Sequence, residues 1–194
     1  GKDDLVVQDT SSGQKTIWFM DGATKSSELD LSLSGSTAQN VVGVGDFNAD
    51  GLLDLVTDNS SNGAKIIAFL TGSGTSLSVS SESTITTNTG YSIVGTGDFN
   101  DDGKPDLVAE QTTSSTDPQK VIDRQIWFMD GATNTSSSTV ISFAQEWRII
   151  GTGDYDLDGN PDFQALLERP NVSFDGASFE DLGPSLGGAS LVIA

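Results

Sequence analysis

Oxygen-bearing side chains recur at alternating positions in three short stretches of this 194-residue chain. In GDFNADGLLDLV they are Asp46, Asn48, Asp50 and Asp54. In GDFNDDGKPDLV they are Asp98, Asn100, Asp102 and Asp106, and in GDYDLDGNPDFQ they are Asp154, Asp156, Asp158 and Asp162. With the first Asp as position 1, the oxygens fall at positions 1, 3, 5 and 9, and position 6 is always glycine: Gly51, Gly103 and Gly159. Alternate oxygens on a curled backbone converge on one point, and glycine permits the sharp turn that closes the curl. Position 7 would supply a main-chain carbonyl, from Leu52, Lys104 and Asn160, so its side chain is free to vary. Hard oxygens without nitrogen or sulfur select Ca2+ over transition metals. The expectation is three complete calcium sites that brace the fold.

Composition narrows the remaining chemistry. The chain has no histidine and no cysteine, which removes His-based general bases, Ser-His-Asp and Cys-His nucleophiles, disulfides, and the usual zinc, haem and iron–sulfur ligand sets. Scattered glutamates have no spacing that marks a glycosidase pair. The chain reads as a protein without enzymatic activity. A formal charge of −19 opposes nucleic acid and anionic membrane as partners. No apolar run is long enough to cross a bilayer, so no membrane insertion is expected. The first residue is Gly, and no signal-peptide pattern follows, which suggests a processed product.

The elements that must position the loops repeat with them. The first Asp falls at 46, 98 and 154, a period of about 50 residues. A second string, IWFMDGAT, occurs identically at 17–24 and 126–133, weaker as IAFLTGSGT at 67–75 and degraded as VSFDGAS at 172–178. Each unit reads as short strands between Gly, Ser, Asn and Asp; in the second unit they are QNVVGVGDF, LDLVTDN, AKIIAFL and SLSVSSEST. No stretch keeps helical periodicity over three turns. The fold class is all-β, and four antiparallel strands per repeat fit a β-propeller of about four blades in one domain, 1–194. The blades would run approximately over 1–40, 41–90, 91–145 and 146–194. The third strand, Ile17–Met20, is apolar throughout, as expected if both faces of a blade pack on neighbours.

The ends carry an expectation of their own. GKDDLVV at 1–7 aligns with GLLDLVT and GKPDLVA, so the chain starts inside a fourth acidic loop, and ASLVIA at 189–194 resembles the start of an inner strand such as YSIVGT. The first blade is therefore expected to be split between the termini. The strand at 189–194 would cover the first unit, within the chain or from a neighbour.

The acidic string resembles the first half of an EF-hand loop, but Thr57, Ala109 and Ala165 stand where the twelfth-position glutamate would be. With Asp at position 9 leading directly into a strand, it resembles the calcium loop of integrin-α-type FG-GAP/VCBS repeats. That resemblance covers nearly the whole chain. It implies a β-propeller whose calcium loops join the first and second strands of each blade. It also implies a ligand face opposite the metals, where the long segment QTTSSTDPQKVIDRQ would lie, though a tolerated surface insertion explains that segment more simply. Trp18 and Trp127 occupy equivalent positions and, with Trp147, suit packing between blades better than stacking on sugars. Asn59, Asn134 and Asn171 head glycosylation sequons, a weak signal in a Ser/Thr/Asn-rich chain. The functional expectation is an extracellular or cell-surface module that binds a glycan or a surface protein. The second reading is a subunit of an extracellular assembly that self-associates through its incomplete blade.

Overall fold

The computed structural model describes residues 3–34, 38–86, 90–112, 121–140, 143–144, 147–167 and 192–193. Among them are sixteen strands and no α-helix. The first sheet contains β1 (Leu5–Gln8), β2 (Lys15–Asp21) and β3 (Thr24–Leu31); the second contains β4 (Gln39–Gly45), β5 (Asp54–Asn59), β6 (Lys65–Thr71) and β7 (Ser78–Thr84). Next come β8 (Tyr91–Gly97), β9 (Asp106–Gln111), β10 (Val121–Ile122), β11 (Arg124–Asp130), β12 (Thr133–Thr139) and β13 (Phe143–Ala144). The third sheet has the order β8-β9-β11-β12, and β10 pairs separately with β13. The fourth sheet holds β14 (Trp147–Gly153), β15 (Asp162–Leu167) and β16 (Val192–Ile193). All pairings are antiparallel.

Sequence polarity sorts the strands across each sheet. Every residue of β5 is buried, as are the first four of β9, because these second strands lie inside their sheets with packed neighbours on both faces. The outer strands β3 and β12, TKSSELDL and TNTSSST, are mostly exposed, and their polar side chains suit a solvated edge. Expected continuous burial thus belongs to the second strand. The third strand instead buries alternate residues, such as Lys15 and Ile17 in β2. Trp127 is buried in the core with its ring edge-on to Tyr91, whereas its equivalent Trp18 carries the Lys25 ammonium over its ring at 4.8 Å.

The sheets are joined at equivalent places. Ile17 and Leu31 of the first sheet pack with Leu55, Ala68 and Leu70 of the second. Phe47, Val56 and Ile67 of the second pack with Ile93, Leu107 and Trp127 of the third. Phe99 stacks on Phe163 of the fourth sheet at 5.0 Å between ring centroids. First strands also lie side by side: the Thr96 hydroxyl donates to the Val44 carbonyl at 2.9 Å, and the Thr152 hydroxyl to the Thr96 carbonyl at 2.7 Å. Glycine is required for this approach. A Cβ on Gly43 would lie 2.4 Å from Thr96 Cγ2, and one on Gly95 would lie 2.5 Å from Thr152 Cγ2.

Two buried ion pairs, Lys65–Asp58 at 3.4 Å and Arg124–Glu110 at 2.9 Å, connect equivalent second and third strands. In the first sheet Gln8 replaces the acid opposite Lys15, and burial pushes the Lys15 ammonium below its ordinary pKa.

One expectation is overturned. Val192–Ile193 pairs with β15, in register Phe163↔Ile193 and Gln164↔Val192, so the described part of the terminal segment extends the fourth sheet and does not complete the first. Chain separation gives the physical reason, since closing onto β15 orders a far shorter loop than closing onto β1. The expected strand at 172–178 lies outside the described residues.

The Tyr91 hydroxyl donates to Asp123 at 2.5 Å. Burial, together with that hydrogen bond and the Asp123 charge, pushes Tyr91 up to about 12. The folded chain then holds a proton that the unfolded chain releases near 10, so stability falls as pH rises through the window from about 10 to about 12. Thermal melts across this window are expected to fall less steeply for Tyr91→Phe than for the parent. Parallel curves would rule out Tyr91 as a source of alkaline instability.

Candidate metal centre

Each acidic loop leaves the first strand of a sheet and enters the second: β4 to β5, β8 to β9, β14 to β15. The three loops fold by one hydrogen-bonding scheme. The carboxylate of Asp46 accepts the Asp50 and Gly51 N–H groups at 3.0 and 2.8 Å. Asp98 accepts those of Asp102 and Gly103 at 3.1 and 2.7 Å, and Asp154 those of Asp158 and Gly159 at 3.1 and 3.0 Å. Position 3 accepts the same position-5 N–H, through Asn48, Asn100 and Asp156. Position 5 turns back to accept the position-7 N–H of Leu52, Lys104 and Asn160. A short side-chain acceptor at alternate positions is what lets the backbone curl so tightly.

The curl places position 4 in the left-handed region, with φ of 57° at Ala49, 58° at Asp101 and 63° at Leu157. Each such residue costs about 1 kcal/mol. Gly51, Gly103 and Gly159 follow at φ 87°, 81° and 96°, where their lack of a Cβ removes that cost.

Position 9 has a role that spacing did not reveal. Asp54 is fully buried; its Oδ2 accepts the Phe47 N–H at 3.0 Å and its Oδ1 the Leu70 N–H at 2.9 Å. Asp106 does the same with Phe99 and Met129. Leu70 and Met129 stand at the bulge in the pairing of third and fourth strands, where the register shifts. This carboxylate therefore ties loop, second strand and third strand together. Asp162 repeats the loop half, accepting the Tyr155 N–H at 2.9 Å. Burial pushes Asp54 and Asp106 above the usual carboxylate range, against the pull of these N–H donors, and the acids at positions 5 and 1 add to the rise. A bound divalent ion would act in the opposite sense.

The third loop draws ligand atoms of Asp154, Asp156 and Asp162 to within 4.8 Å of one another. The equivalents of Asp156 are Asn48 and Asn100, whose amides instead donate to Asp50 at 2.9 Å and Asp102 at 3.1 Å. Among the described residues this is the one convergent group of three acids. No family model, curated protein or solved structure matches the chain. The case for the loops therefore rests on their own geometry. Their donor set is all oxygen, the backbone closure is shared, and a hard cation fits the third loop's convergent carboxylates. Loop position 7 offers the carbonyls of Leu52, Lys104 and Asn160 at the corresponding place in each loop.

Other candidates separate clearly. Asn59 is buried, and its side-chain oxygen accepts the Ser61 and Asn62 N–H groups, so it is no surface sequon. Asn171 and most of the 111–125 segment lie outside the described residues. The Lys65–Asp58 and Arg124–Glu110 pairs were missed by the sequence reading. Their signal was an acid near the end of each second strand and a base at the start of each third.

Proposed function

We propose that the chain is a calcium-braced β-propeller module that works outside the cell or at its surface, binding a glycan or a surface protein. The observation that carries this reading is one acidic loop built three times with the same backbone N–H hydrogen bonds, between the first and second strands of successive sheets. Ions in Asp46–Asp54, Asp98–Asp106 and Asp154–Asp162 would cross-link each loop to the strands around it. Their chemistry would be charge neutralisation, and the threefold repetition of the loop favours a structural brace over a single catalytic centre. Millimolar calcium outside cells suits weak, exposed all-oxygen sites. The repeated side-by-side first strands support a radial arrangement of blades.

Calorimetric titration tests the metal reading site by site. The third loop is expected to bind most tightly, because Asp156 adds a carboxylate where the other loops have asparagine, and attraction at short range grows with ligand charge. Single variants Asp50→Ala, Asp102→Ala and Asp158→Ala order the sites. Loss of the weakest site in Asp158→Ala would contradict the charge argument. Glycan-array binding by a monodisperse monomer would support the recognition role. Concentration-dependent polymers would favour the second reading, a subunit joined by strand addition.

A further inference from the structure

In the first three sheets a basic residue opens the third strand. In register, Lys65 stands opposite Asp58 and Arg124 opposite Glu110, each acid on the second strand of the same sheet. Those pairs close at 3.4 and 2.9 Å. In the first sheet the same register sets Lys15 opposite Gln8 of β1, with Leu31 of β3 on its other side. Gln8 carries no charge, and both ends of its amide are taken. Its Oε1 accepts the Val41 N–H at 3.1 Å, and its Nε2 donates to Asn40 Oδ1 at 2.9 Å. Asp9, in the loop that joins β1 to β2, is turned on that loop and accepts the Ser11 and Ser12 N–H groups at 2.8 Å each.

Lys15 therefore has the position of its equivalents without their acid. It is 5% exposed, and its ammonium has no hydrogen bond or ion pair among the described residues. Among those residues Asn134 Oδ1 is the one side-chain polar atom both sealed from solvent and unpartnered, so Lys15 Nζ reaches the surface at the end of a buried stem. The other described lysines are held by carboxylates: Lys25 by Glu28 at 2.6 Å, Lys65 by Asp58 at 3.4 Å and Lys104 by Asp130 at 2.8 Å. A carboxylate favours the protonated amine, which has no lone pair to donate. Burial acts the other way on Lys15 and pushes it below its ordinary pKa, whereas the hydrogen bond to Asp130 raises Lys104.

We infer that Lys15 Nζ is a covalent modification site, which forms an imine with a small neutral aldehyde. A lysine desolvated by its surroundings and free of a carboxylate is activated as a nucleophile towards carbonyl carbon. The ammonium first releases a proton to water. The Nζ lone pair then bonds to the carbonyl carbon, and the carbonyl π pair moves to oxygen, which takes up a proton as Nζ gives one up. The carbinolamine hydroxyl leaves as water with the last Nζ proton, and a C=N bond remains. No oxidant or reductant is needed. The imine stands uncharged, so a site that disfavours the ammonium favours the product. Only the tip of the side chain is exposed, which restricts the reaction to aldehydes of a few atoms.

The site is separate from the acidic loops. Those loops lead into the starts of second strands, and Lys15 stands at the start of a third strand, which runs antiparallel to its second strand. Amine and loops therefore belong to opposite ends of the sheets. Imine formation requires no metal, so this site stands apart from the calcium reading.

The test treats the folded chain with propanal and cyanoborohydride, whose hydride reduces the imine to a stable secondary amine. Peptide mass spectrometry then follows each lysine separately. Lys15 is expected to be labelled several-fold faster than Lys25 and Lys104, although the side chains of both are 41% exposed. In urea the rates should converge, because the preference comes from the fold. Gln8→Glu gives Lys15 the acid that its equivalents have and keeps an acceptor for the Val41 N–H, so it should slow Lys15 to the rate of Lys25. The inference is overturned if Lys25 or Lys104 is labelled as fast as Lys15 in the folded chain, or if the preference for Lys15 persists in urea. It is also overturned if Gln8→Glu, folded by circular dichroism, reacts at Lys15 like the parent. The comparison among lysines of the parent needs no variant, so it stands even where Gln8→Glu does not fold.

Discussion

Chelation is expected to lower the melting temperature by about 20 °C. A site held at a hundred times its dissociation constant stabilises the folded chain by about 2.7 kcal/mol. Three such sites contribute roughly 8 kcal/mol, and a chain of this size shifts by about 2–4 °C per kcal/mol. The empty loops would also retain mutual repulsion among Asp46, Asp50 and Asp54 and their equivalents. Calcium should restore the transition. Magnesium should restore it poorly, because it demands a tight octahedron and gives up its waters reluctantly. Scanning calorimetry in chelator, then with each ion added back, is the measurement. A melting temperature indifferent to chelation removes the calcium reading, and equal rescue by magnesium removes its selectivity.

The second large effect is expected at Lys65, far from the loops. Its side chain is wholly buried, its Nζ lies 3.4 Å from Asp58 Oδ1 and donates to the Gly63 carbonyl at 3.0 Å, and Asp58 Oδ2 accepts Ile93 N–H from the next sheet. Lys65→Ala strands a carboxylate that is itself nearly buried, which costs about 3–5 kcal/mol. The melting temperature should fall on the order of 10 °C. Asp58→Asn combined with Lys65→Met removes both charges and keeps an acceptor for Ile93, so the double variant should recover much of the loss. If Lys65→Ala melts with the parent, the pair contributes nothing to stability. If the double variant is as unstable as Lys65→Ala, the loss comes from packing and not from the stranded charge.

Both expectations draw on features that differed in how visible they were beforehand. The loop at Asp46–Asp54 was legible because its chemistry is local: five close positions, a glycine, and hydrogen bonds spanning two to five residues. The Lys65–Asp58 pair was not, although only seven residues separate the partners. It depends on strand register, and a slip of one residue would move Lys65 to the other face of its sheet.

The sequence by itself determined the all-β class, the repeat of about 50 residues, the alternation of strands and turns, and the oxygen-rich loops. These follow from spacing and residue type within a few turns of chain. Tertiary structure alone decided how each part is used. It made the position-9 acid a tie between loop and third strand, and put Val192–Ile193 on β15. It also left Leu5, Val6 and Val44 exposed, where Leu55, Val56, Leu107 and Val108 are buried. Those outcomes depend on contacts between segments 16 to 52 residues apart, from Asp54 with Leu70 to Thr96 on Val44. Side-chain volume and hydrogen-bond direction choose among such pairings, and neither is written in the local pattern of the chain.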